Sequence, residues 1–154
     1  MSERRMLCTF RIGRQWFGVD VASVQEVLKA QPLAQVRWAG PALRGLINLR
    51  GQIVTAIDLS SALGMPGGTD ESAAAPAQVV VRAEGAGSPS LSLCVDEIGD
   101  VAEVDGSSFE RTPATYVSAK PELIRGVYKL TDRLLLALDL SRVMHAVTSQ
   151  GVTE

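Results

Sequence analysis

The sequence holds one histidine and two cysteines in 154 residues. That set cannot assemble an ordinary zinc site without several carboxylates. The histidine, His145, reads as a surface residue of a C-terminal helix. No G-x-x-x-x-G-K-[ST], G-x-G-x-x-G or G-x-S-x-G pattern occurs, so phosphate-loop, dinucleotide and hydrolase signatures are missing. No cofactor and no catalytic constellation are expected. There is also no run of 18 apolar residues, hence no helix expected to span a membrane. The start, MSERRMLCTF, lacks the apolar centre of a signal peptide, so the cytoplasm is the expected compartment. A basic excess is absent too: the formal net charge is -2 and aromatics make up 5%. A nucleic-acid groove wants cations and stacking rings, which argues against that class. Arg4, Arg5, Arg11 and Arg14 read as a solvated face.

What is present is a globular balance, 46% hydrophobic and 21% charged. A chain of this length buries roughly 70% of its unfolded surface and needs neither metal nor disulfide for stability. Cys8 and Cys94 lie in β-like apolar runs and read as buried thiols, close to each other only if their strands are neighbours.

The pattern is mainly β. LCTFRI and WFGVDV are short strand-like runs joined at Gly13-Arg14, which reads as a hairpin. VASVQEVL fits either helical spacing or a strand. Pro32 and Pro41 bracket a loop that contains Trp38. Residues 64–78 are rich in Gly, Pro, Ala and Ser and read as a loop joining two lobes. After Leu59, Ser60 can cap a short helix that Gly64 ends.

An internal repeat organises these runs. RGLINLRGQIVTAIDLSSAL from Arg44 aligns without gaps on RGVYKLTDRLLLALDLSRVM from Arg125. A second echo sets VQEV at 24–27 against VAEV at 101–104, and Val19-Asp20 against Val95-Asp96. The runs 53–57 and 134–138 are apolar on both faces, so each copy has to pack its second face on something, most economically the other copy. The expected fold is mainly β: two pseudo-equivalent five-stranded SH3-like barrels around a shared core, with short helices. The approximate lobes are 13–72 for the first barrel and 79–145 for the second, with 64–78 connecting them and 146–154 as a tail.

Asp58 and Asp139 occupy the same position in each copy, at a strand end before a short helix. That equivalence favours helix capping over acid/base chemistry, and Asp20 and Asp96 are read in the same way. Trp16 and Trp38 can serve as core or as interface anchors. Arg50 stands out because it interrupts two apolar runs in LINLRGQIV.

GLINLRGQIVTAIDL, preceded by FGVDVASVQEVL and followed by LCVDEIGDVAEV and LIRGVYKLTDRLLLALDL, resembles the CheW family of chemotaxis coupling proteins. The resemblance runs from about Leu7 to His145 and departs at Thr55, where the family usually has proline. It implies a single CheW-like domain over 1–154 whose N-terminal strand, 7–12, joins 79–145 to complete the second barrel, and a non-enzymatic adaptor. Its implied partners are the cytoplasmic tips of chemoreceptors and the regulatory domain of the histidine kinase CheA, met lobe against lobe in membrane-associated arrays without membrane insertion. The family's contact residues carry over to Val24, Glu26, Gly45, Asn48 and Arg50. An apolar groove between two barrels can take one face of a receptor helix, with Val24 in the groove and Glu26 and Arg50 at its rim. The alternative reading is a small β-barrel that binds a small ligand or single-stranded nucleic acid.

Overall fold

A computed structural model describes residues 4–29, 42–65, 77–82, 89–111 and 119–149, and among these described residues the chain forms eleven strands and two α-helices. The strands are β1 (Arg4–Ile12), β2 (Gln15–Asp20), β3 (Val24–Lys29), β4 (Leu43–Leu49), β5 (Gln52–Asp58) and β6 (Ala77–Arg82), followed by β7 (Ser90–Val95), β8 (Glu97–Asp105), β9 (Phe109–Glu110), β10 (Ile124–Lys129) and β11 (Leu134–Leu138). The helices are α1 (Leu59–Ala62) and α2 (Leu140–Ser149). No helix among the described residues is long and apolar enough to cross a membrane.

The strands make two sheets. One has the order β3-β6-β7-β5-β4 and the other β8-β1-β2-β11-β10-β9. Apart from β9 the two are copies. In each, a hairpin (β6–β7 or β1–β2) is inserted between an edge strand and the repeated hairpin, and the inner contact is parallel, β5 with β7 and β11 with β2. The bulges match as well: β4–β5 shifts register at Leu43/Gly45, and β10–β11 at Ile124/Gly126. The repeat from Arg44 and Arg125 is therefore a repeat of backbone, down to the bulge.

The second sequence echo does not survive. Val24 pairs with Val81 and Val27 with Val79, while Ile98 pairs with Phe10 and Val101 with Cys8. Sheet register thus equates Val24 with Ile98 and Val27 with Val101, three residues away from the alignment of VQEV with VAEV. A four-residue match of common strand residues is weaker than a register fixed by burial on both sides.

The lobes also divide the chain differently from the sequence reading. β2 lies in the six-stranded sheet, and β6 and β7 lie in the five-stranded one. The first lobe is accordingly built from strands β3–β7, whose described residues run within 24–95, and the second from β1, β2 and β8–β11. A whole N-terminal hairpin, not a single strand, completes the second lobe. Residues 66–76 lie outside the described residues; β5 before them and β6 after them share a sheet. Trp38, Pro32 and Pro41 also lie outside the described residues.

The two-faced strands are explained by three clusters. Val54, Ala56, Val80 and Cys94 pack inside the first lobe. Leu7, Tyr128, Leu135 and Ala137 pack inside the second. The opposite faces of the same strands meet in a shared core that includes Phe10, Phe17, Ile57, Val79, Leu93, Leu136 and Val143. VASVQEVL resolves into a 3-10 turn, Val21–Ser23, and strand β3, because pairing with β6 satisfies its backbone. Helix α1 is capped by Asp58, whose carboxylate accepts from the Ser60 N–H at 3.1 Å, so the cap lies two residues before the expected Ser60. Asp139 accepts from the Arg142 N–H at 3.1 Å at the start of α2. Asp20 and Asp96 are likewise structural, accepting from the Ala22 and Gly13 N–H groups.

Cys8 and Cys94 are buried free thiols on strands of different sheets. Burial raises the pKa of both, that of Cys94 to about 12. The thiolate is the reactive form. Neither thiol should therefore react with a disulfide reagent at pH 8 in the folded chain, and both should react once urea unfolds it. Fast labelling of the native protein would show that one of them is open to solvent.

Candidate functional site

β3 and β4 are the two edges of the first lobe's sheet, and a side-chain contact brings them together. Glu26 on β3 accepts a charge-assisted hydrogen bond from the Arg50 guanidinium in the β4–β5 turn. The partners differ in exposure, 77% for the arginine side chain and 22% for the glutamate. The glutamate is held by the strand, and the arginine reaches over it from solvent. A cavity of about 350 Å³ opens beside the pair, lined also by Gln25, Leu49, Gln52 and Val54.

The turn that carries Arg50 is tight. Leu49 pairs with Gln52, which leaves Arg50 and Gly51 as a two-residue loop with φ +53° and +85°. Two positive φ values in a two-residue loop make a type I′ turn, whose favoured sequence is Asn-Gly. Gly51 fits it. Arg50 does not: it is the only non-glycine residue with positive φ among the described residues, and that conformation costs an L-residue roughly 1–2 kcal/mol. The cost is offset locally by Asn48, whose Oδ1 accepts from the Gly51 N–H at 2.9 Å. The second copy turns over four residues, with Leu130 N–H donating to Arg133 O at 2.9 Å, and has no positive φ at Thr131 or Asp132. The two hairpins therefore turn by different geometries, and the fold as such does not demand an arginine in a left-handed conformation.

The five residues carried over by resemblance lie on one lobe but play different parts. Arg50 and Glu26 meet directly, and Asn48 fixes the turn beneath them. Val24 stands two residues before Glu26, beyond a bulge at Gln25. It is half-buried against the shared core and does not line the groove. Gly45 is buried at the β4 bulge with φ +154° and acts on backbone shape. The groove beside Glu26 and Arg50 belongs to the first lobe alone and does not run between the lobes.

Sequence reasoning missed Gln25, Leu49 and Gln52 as lining residues, and it missed Ile53, which is 67% exposed directly after the turn. Strict alternation from buried Val54 outward gives the signal for Ile53. Barrel closure of β3 onto the β4–β5 turn brings in the others, and no local pattern announces it.

The second lobe has the matching groove with different chemistry. Register puts Asp100 where the first lobe has Glu26, and the repeat puts Thr131 where it has Arg50. No ion pair of that kind is possible there. Instead the Arg133 guanidinium lies 4.3 Å from the Trp16 ring centroid, and Arg133 donates to Asp132 Oδ2 at 3.0 Å. That hydrogen bond holds the exposed Asp132 carboxyl below its usual pKa. Among the described residues no group of three or more His, Cys, Asp or Glu could hold a metal ion.

Comparison with known proteins places this geometry. The sequence model of one family, the CheW-like domain, matches residues 6–148. A protein of Rhizobium meliloti named chemotaxis protein CheW is 30% identical over 141 residues, which cover 90% of this chain and 86% of that protein. One of Rhizobium etli, named probable chemotaxis protein CheW, is 27% identical over 147 residues, 96% and 92% of the two chains. The crystal structure of the scaffolding protein TtCheW from Thermoanaerobacter tengcongensis superposes with a TM-score of 0.76 at 24% identity, covering 90% of this chain and 86% of that one. These names describe chemotaxis and scaffolding proteins, not enzymes.

Proposed function

The chain belongs to the CheW-like family of chemotaxis proteins, and from that premise we propose that it is a non-enzymatic adaptor coupling the cytoplasmic tips of chemoreceptors to the regulatory domain of the histidine kinase CheA. It acts in the cytoplasm and reaches the membrane by recruitment to receptor arrays. The observation that carries this reading is Arg50, an exposed cation kept at a hairpin tip in a costly backbone conformation. Strain of that kind persists where a side chain has to be presented in one direction. Glu26 orients the guanidinium from below, Asn48 holds the turn, Gly45 bends the strand that leads to it, and Val24 anchors β3 on the core.

A receptor tip is a helical hairpin, and a helix laid across the groove would place an acidic or amide side chain against Arg50 while Ile53 covers apolar surface. The test is reconstitution. This chain, a receptor cytoplasmic fragment and the kinase regulatory domain from the same cell are expected to elute together at low micromolar concentration. Separate elution of all three would sink the adaptor reading.

A further inference from the structure

The two inserted hairpins, β1–β2 and β6–β7, fill equivalent slots in equivalent sheets. Either could in principle pair with the edge strand and the inner strand of either lobe, because backbone ladders carry no sequence information. The described side chains differ at matched points of contact. Register equates Trp16 with Ser90 and Gly99 with Gln25: Thr55 faces Leu91 where Leu136 faces Phe17, and each edge strand is bulged at the same place, at Gln25 and at Gly99-Asp100. In the first lobe that pair is polar, with Ser90 Oγ donating to Gln25 Oε1. In the second it is steric. A Cβ at Gly99 would stand 2.5 Å from both Trp16 Cζ3 and Thr9 Oγ1, closer than real Cβ contacts come.

We propose that the Trp16–Gly99 fit selects which hairpin completes which lobe, and so holds the N-terminal hairpin in the second lobe. Placed in the first lobe, Trp16 meets the side chain of Gln25. Placed in the second, the β6–β7 hairpin sets Ser90 over Gly99 and leaves the ring's volume empty, with a hydroxyl facing no glutamine. A second contact points the same way. Gly18, equated with Ser92, lies so close to Leu135 on the slot's inner strand β11 that a Cβ there would be 3.2 Å away, so the second lobe would press on Ser92 of a β6–β7 hairpin placed in it. Each slot thus accepts its own hairpin and penalises the other, which is how a duplicated fold keeps one topology. This device is independent of partner binding.

Amide hydrogen exchange on the full chain tests it. Gly99→Gln imports the first lobe's residue and is expected to lower protection of β1 and β2 about tenfold or more while β6 and β7 keep theirs. Adding Trp16→Ser recreates the polar pair and is expected to recover the part of that loss due to the ring, leaving the contact with Thr9 Oγ1. In the first lobe, Ser90→Trp alone is expected to loosen β6 and β7, and Ser90→Trp with Gln25→Gly to restore them. If Gly99→Gln does not fold, Gly99→Ala carries the smaller clash and is expected to show the same localised loss, of which Trp16→Ser relieves the share due to the ring and leaves the share due to Thr9 Oγ1. Double variants no better protected than the single ones, or a loss spread evenly over both hairpins, would overturn the proposal.

Discussion

Phe17→Ala is expected to remove about 3–5 kcal/mol of folding stability, the usual cost of truncating a fully buried phenylalanine. Phe17 is 0% exposed and stacks on Phe10 with ring centroids 6.1 Å apart. Its strand lies between β1 and β11, with Phe10 opposite it on one side and Leu136 on the other, so neighbours on two strands hold the space open and limit collapse into it. A domain of this kind has about 5–15 kcal/mol in total, so a fifth or more of the margin goes. Because the side chain sits in the core shared by both lobes, the loss should appear as one shifted urea transition, the same when followed by tryptophan fluorescence and by far-UV dichroism. A loss below about 1 kcal/mol, or two separated transitions, would mean that the lobes do not depend on a common core.

Arg50→Glu is expected to do the reverse, leaving the fold nearly unchanged and weakening partner capture by about a hundredfold. The ion pair with Glu26 is mostly exposed on the arginine side, and such pairs contribute only about 0–1 kcal/mol. At an interface the same reversal sets a carboxylate against a surface that expects a cation and adds it to Glu26, and like charges brought together there cost several kcal/mol. Arg50→Asn separates charge from conformation. Asparagine is at home in the left-handed region and gives the favoured Asn-Gly turn, so stability should be kept or rise by up to about 1 kcal/mol while binding falls, less than for glutamate. Thermal melts and a titration against the kinase and receptor fragments would decide. A collapse of stability in Arg50→Glu with unchanged affinity in Arg50→Asn would make the arginine a structural residue only.

Legibility in the sequence followed the range of the interaction. The β1–β2 hairpin and the β4–β5 hairpin were readable because alternation and turn residues are local signals. So were the capping aspartates, which sit next to the helices they start. Arg50 was visible as a charge out of place, but its positive φ and its contact with Glu26 were not, since the first depends on the pairing of Leu49 with Gln52 and the second on barrel closure. Composition makes residues 64–78 read as a lobe boundary because it reports the absence of periodicity and not what the flanking strands pair with; β5 and β6 on either side share one sheet.

By itself the sequence determined that the chain is β-rich, that one hairpin-and-helix unit occurs twice, and that its strands are apolar on both faces. Those are properties of residues near one another, set by a period of two and by side-chain size. Only the tertiary structure decided that the N-terminal hairpin serves the distant lobe, with Phe10 opposite Ile98 and Leu136 opposite Phe17. Two equivalent slots present equivalent apolar faces and equivalent backbone ladders, so hydrophobic pattern cannot choose between them. The choice rests on shape at a few contacts between residues some eighty positions apart, Trp16 against Gly99 foremost, and shape complementarity exists only once both surfaces are formed.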